Sequence, residues 1–224
     1  MNLIQKIVEK NNNKNFFLIY NRIPVEVLGE VSANVRQVIE NLETLLPEHL
    51  IVMVKSIKIG DFSFLNSREV NALYDDESGT IYITNQQDSN TDLLDDLVHE
   101  ISHSVEDLFM DHLYSDGDIE REFLAKRNAL GRELKYDYEV GHFDFSNAEY
   151  SENFDELLYR TVGYDKLRNY TDGLFASPYG ATSLREYFAN CFEEYYLGDR
   201  NYLSKLCPAA YQKIDSVNDG EEYY

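Results

Sequence analysis

Residues 91–107 read TDLLDDLVHEISHSVED, and the interpretation of this stretch governs that of the whole chain. Leu94, Leu97, Val98, Ile101, Val105 and Leu108 recur at intervals of three and four, the period of an amphipathic helix. On that helix His99 and His103 stand at i and i+4, so both imidazoles leave one face with their β-carbons about 5–6 Å apart. Imidazoles so spaced can close on one metal ion, since Zn–N bonds are about 2.0–2.1 Å. Glu100, one step round the helix, is placed to reach a water on such an ion rather than the ion itself. That is the position of a general base in a zinc hydrolase.

The chain carries 5 His in 224 residues, so a chance H-E-x-x-H is expected in fewer than ~1% of such chains. Two other readings exist. One is a pair of hydrogen-bonded histidines on a polar helix face. The other takes Glu100-x-x-His103 and Glu139-x-x-His142 as the paired motifs of a di-iron bundle. A bundle needs four long helices, and EVGHFDF around His142 is too broken to supply one.

Length and composition fit a soluble globular protein, with 43% hydrophobic and 27% charged residues. The expectation is a single domain over 1–224, with an N-terminal α/β lobe to about residue 110 and a mainly helical C-terminal lobe over about 111–224. No apolar run approaches the roughly 18 residues of a membrane span. The start, MNLIQKIVEKNNNKN, lacks the apolar core and cleavage site of a signal peptide. A cytoplasmic protein is therefore expected, with leaderless export or a viral particle left open. Cys191 and Cys207 are the only cysteines. They are read as free thiols, one bridge remaining possible. The net charge of −21, from 41 acids and 20 bases, repels phosphate backbones and argues against direct nucleic-acid binding. Solubility explains such a surface, and attraction of basic partners or mimicry of a nucleic acid are the alternatives. Oligomeric state is not legible.

In chain order, Asn2–Lys10 reads as a short helix, FFLIYNR as a buried strand and Ser32–Leu46 as a helix closed by Pro47. IVMVKSIKI (Ile51–Ile59) reads as a strand, Tyr74–Gly79 as a turn and Thr80–Thr84 (TIYIT) as a strand just before the motif helix. The order β-α-β-β-α predicts an α+β fold, with a small mixed sheet, a helix behind it and the H-E-x-x-H helix along the other side. If Thr80–Thr84 is a sheet edge, its backbone can hold an extended peptide; otherwise it is an ordinary hairpin strand. Further on, Ile119–Tyr136 reads as a helix burying Phe123, Leu124, Leu130 and Leu134. Glu139–Tyr150 reads as irregular and Phe154–Val162 as a short helix.

The second informative stretch is YTDGLFASPYGATSLREYFANCFEEYYLGDR, residues 170–200. A helix is predicted from Ser183 to Gly198, burying Leu184, Phe188, Cys191, Phe192 and Tyr195. Glu186 is the natural third ligand, because a carboxylate on a separate helix approaches two imidazoles from outside their own helix. A competing reading is a capping box, Ser183-x-x-Glu186, in which the side chain folds back on its own helix terminus. Glu106 stands about 10 Å along the helix from His99 at about 1.5 Å per residue, too far to share an ion without a turn. His112 and His142 need unknown folding to take part. The pattern H-E-x-x-H-x-x-G-x-x-H is absent.

His99–His103 and Tyr179–Tyr195 together resemble the gluzincin metallopeptidases, and within them the anthrax-lethal-factor-like and Pro-Pro-endopeptidase-like group. The resemblance covers roughly a quarter of the chain. In that group an E-F/Y-F-A-E run supplies the glutamate ligand, matched here by Glu186-Tyr187-Phe188-Ala189-Asn190. A tyrosine seven residues before the ligand stabilises the transition state, a position held by Tyr179. The resemblance implies a zincin-like fold, one Zn²⁺ per chain held by His99, His103 and Glu186, and catalysis by Glu100 and Tyr179 on a protein or peptide substrate. Two departures stand out. Asn190 replaces the usual acid, so its amide oxygen could accept from a ligand imidazole without adding charge that raises ligand basicity. The interval from His103 to Glu186 is also long, making Tyr114–Tyr164 either an insertion over the cleft or extra core. The alternative to an enzyme is a catalytically inactive interaction protein on the same scaffold, with an acidic surface.

Overall fold

In IPVEVL, Ile23, Val25 and Val27 are buried while Glu26 and Leu28 are exposed, the period-two pattern of a half-buried strand. The computed structural model, which describes residues 15–220, has a mixed α+β fold built on a five-stranded mixed sheet. The strands are β1 (Phe16–Ile19), β2 (Ile23–Leu28), β3 (Ser56–Gly60), β4 (Ala72–Asp75) and β5 (Thr80–Thr84), in the order β1-β2-β3-β5-β4. β2, β3 and β5 are mutually parallel, and β1 and β4 pair antiparallel at the two ends. The chain divides into two compact units between Val105 and Glu106.

The first unit holds the sheet, α1 (Val35–Leu45), α2 (Ser63–Arg68) and most of α3 (Asn90–Tyr114). On α1, Val35, Val38, Ile39 and Leu42 are buried and Asn34 caps the N-terminus by accepting from the Gln37 N–H. The predicted helix over residues 2–10 lies outside the described residues. FFLIYNR contributes only β1, because Tyr20 and Asn21 take positive φ values of 51° and 53° and turn the chain into β2. IVMVKSIKI is a strand only from Ser56. Its first residue, Ile51, ends a 3₁₀ turn, Glu48–Ile51, and is followed by exposed Val52 and Met53. The strand begins where alternation begins, at Ile57 and Ile59. The short helix α2 was not legible in the sequence, nor was β4, whose last residues had read as a turn.

β5 is bonded to β3 on one side and β4 on the other, which corrects its reading as an edge for a peptide. Among the described residues β4 ends the sheet. Gly79, with φ 66°, closes the β4–β5 hairpin.

The second unit is helical: α4 (Asp118–Leu134), α5 (Glu152–Glu156), a π-helical stretch Leu157–Gly163, α6 (Tyr164–Thr171), α7 (Leu184–Leu197), α8 (Arg200–Leu206) and α9 (Pro208–Asp219). On α4, Phe123, Leu130 and Leu134 are buried as predicted, but Arg127 shares their stripe and Leu124 is only half-buried. α4 also ties the C-terminal helices together. The Glu122 carboxylate accepts the N–H groups of Ala209 and Ala210 at the start of α9, at 2.9 and 3.2 Å. Lys126 donates to the Leu206 carbonyl ending α8, at 2.6 Å. An anion at a helix N-terminus and a cation at a C-terminus both complement the helix dipole. Residues 139–150 are irregular. They are pinned by Phe145, whose ring lies on Gly131 of α4 so closely that a β-carbon there would meet it at 2.7 Å. Leu157, Leu158 and Val162 are buried, so this part of Tyr114–Tyr164 is core. Cys191 and Cys207 are buried free thiols.

Candidate metal centre

The motif helix forms as its periodicity predicts. Leu97, Val98, Ile101 and Val105 are buried, and regular geometry persists through the motif up to Phe109, whose φ of −109° and ψ of 19° break it. His99 and His103 therefore project together, with ring centroids 5.0 Å apart and planes at 85°. His103 is buried and His99 half-buried.

Glu186 stands in the first turn of α7. Ser183 is the N-cap, its hydroxyl oxygen accepting the Glu186 N–H at 3.2 Å. That is one half of the capping box. One Glu186 carboxylate oxygen and one nitrogen from each of His99 and His103 all lie within 4.8 Å of one another. This group could hold a metal ion. Its donors, two imidazole nitrogens and a carboxylate oxygen, are the set that zinc accepts with a fourth position open.

Glu100 is buried beside the histidines, and its Oε2 accepts the Tyr74 N–H at 2.6 Å. Thr84 donates to the Asn71 carbonyl at 2.7 Å, which fixes the parity of the β4–β5 ladder, so the Tyr74 N–H points away from β5. The candidate base thus takes an outward-facing amide of the terminal strand β4.

Asn190 has a structural task within the second unit. Its Nδ2 donates to the Glu186 carbonyl at 2.9 Å and its Oδ1 accepts from the Ser177 hydroxyl. It braces the chain before α7. Between Ser177 and α7 lies the 3₁₀ turn Pro178–Ala181, which carries Tyr179. A β-carbon on Gly180 would touch Asn190 at 3.4 Å, so this turn packs directly on the side chain that holds it.

His112 pairs with Ser216 at 2.8 Å and His142 stacks on Phe143 with centroids 4.1 Å apart. Neither belongs to the metal-ligand group. Glu106 is likewise outside it, in a role the sequence did not disclose. It is buried, accepts from the Tyr114 hydroxyl and lies 3.4 Å from the Nε of Arg185, the neighbour of Glu186. Burial pushes its carboxyl up to about 7, against the opposing pull of the Tyr114 bond and the Arg185 charge. Asp155 and Tyr164 also feel the Glu186 charge. Burial is the larger cause of their raised values, that of Tyr164 reaching about 12.

Comparison with known proteins gives no match: no family model, curated protein or solved structure matches this chain. Among the described residues, no helix is long and apolar enough to cross a membrane.

Proposed function

We propose that this chain is a zinc-dependent endopeptidase with a zincin-like fold, resembling the gluzincins. The observation that carries the reading is the convergence of His99, His103 and Glu186, which lie 83 residues apart at the widest interval in sequence, from His103 to Glu186, and within 4.8 Å at their ligand atoms. These three residues would hold the Zn²⁺. When bound, it supplies Lewis acidity, polarising a carbonyl and bringing the pKa of a water toward about 7.

The chain's own groups do the rest. Glu100 takes the proton of the attacking water and passes it to the leaving amine nitrogen. The Tyr74 N–H on Oε2 orients that carboxylate while it does so. Tyr179 donates a hydrogen bond from its phenol to the developing oxyanion, the role the resemblance implies. The substrate runs along β4, not β5, because β4 ends the sheet among the described residues and its Tyr74 amide holds Glu100 beside it.

The test is cleavage of a diverse peptide library by the zinc-loaded protein. Cleavage that disappears in Glu100→Gln supports the proposal, and a library left uncut by zinc-loaded protein contradicts it.

A further inference from the structure

In the second unit, a cavity of about 430 Å³ opens between α4, residues 142–147 and the α5–π-helix segment. Arg127 lines it and is only 1% exposed. One Nη donates to the Asn147 carbonyl at 2.6 Å, and the guanidinium carbon lies 3.8 Å from the centroid of the Phe154 ring, on which it stacks. Its Nε is buried with no hydrogen-bond partner among the described residues, and the nearby Asp144 carboxylate offsets its charge only in part. Burial lowers the guanidinium to about 10, so it remains charged at neutral pH. A buried cation is retained where something pairs with it. Here one face is covered by an aromatic ring, a donor is unused, and the side chain borders an open cavity.

We propose that this cavity binds the free carboxylate of an amino acid or short peptide, with Arg127 as the carboxylate-recognising residue. A guanidinium N–H donates a charge-assisted hydrogen bond to a carboxylate, and stacking on Phe154 holds its plane in place. The rim selects among anions. Asp144 and Glu156 line the same cavity and, with a net charge of −21, disfavour a dianion such as phosphate. They accommodate a ligand whose ammonium group accompanies its carboxylate. None of the lining residues belongs to the metal-ligand group, and the proposal does not depend on zinc or on peptidase activity.

The experiment is calorimetric titration of the full chain with glycine and glycyl-glycine, beside glycinamide and inorganic phosphate. Binding of the free carboxylates, and none by the amide or phosphate, is expected. Arg127→Gln should weaken it at least about 10-fold, the loss of a charge-assisted hydrogen bond. Should that variant fail to fold, Asn153→Asp decides: Asn153 is exposed on the cavity lining, and a carboxylate there competes with the ligand. It should cost at least about 10-fold and leave metal content unchanged. No heat with either free carboxylate at ten-millimolar level, or binding indifferent to Asn153→Asp, overturns the proposal. Binding by glycinamide equal to that by glycine overturns it as well.

Discussion

The Glu100 carboxylate accepts the Tyr74 amide at 2.6 Å, so the candidate base of the motif helix and the terminal strand of the sheet are joined by one hydrogen bond. The bond does two things. It orients the carboxylate, and it satisfies an amide that the sheet leaves pointing outward in a buried place. This yields a separation of effects. Glu100→Gln keeps an acceptor for Tyr74, and should retain stability while losing about 10²–10⁴ in peptide cleavage. Glu100→Ala removes the acceptor as well, and should cost about 1–3 kcal/mol for the stranded N–H. Urea unfolding of the two variants, beside their cleavage rates, checks both halves.

Asn190 makes the second prediction. Because its amide spans the Ser177 hydroxyl and the Glu186 carbonyl, truncation loosens the turn that carries Tyr179 without touching a ligand atom. Asn190→Ala should lower stability by about 1–3 kcal/mol and leave zinc stoichiometry unchanged. Asn190→Asp, although it restores the acid expected from the family resemblance, places an acceptor against the Glu186 carbonyl. It should destabilise too and bring no gain in zinc affinity, as measured by competition with a chelating dye.

Glu106 gives the stability of the metal-free protein a pH dependence of defined sign. Its folded-state carboxyl titrates near 7 against an ordinary value of 4.5, so between these values the folded chain holds a proton that the unfolded chain has released. Stability is full below about pH 4.5 and falls as pH rises through about 7. The full loss is about 3 kcal/mol from this group. Glu106→Gln should flatten that decline, and chemical denaturation from pH 5 to 8 with and without the substitution tests it.

The residues of the candidate metal group were legible because they sit on strongly periodic helices. His99, Glu100 and His103 follow from one amphipathic stretch, and α7 begins and ends at the cap residues Ser183 and Gly198. Glu186 had two readings from sequence, cap or ligand, and only the fold separates them: Ser183 binds its amide while its carboxylate lies with the histidines. The edge strand could not be read, since TIYIT is apolar enough for either an interior or a terminal position. The order β3-β5-β4 depends on long-range pairing that no local pattern encodes. IVMVKSIKI misled for a related reason. A continuous apolar run does not distinguish a strand from a partly exposed turn, and only its alternating end became β3. Glu106 and Arg127 were missed because charged residues are read as exposed unless a partner in space is known, and their partners are 79 and 20 residues away, at Arg185 and Asn147.

The most direct test of the metal centre is the zinc content, by elemental analysis, of protein purified without added metal, set beside Glu186→Ala. The substitution spares the Ser183 cap, which engages the backbone amide, so the helix should persist while a ligand is lost. The account predicts about one zinc per chain in the parent and clearly less in the variant. A parent that carries no zinc and takes none up on addition, or a variant that binds it as well as the parent, would contradict the three-residue centre.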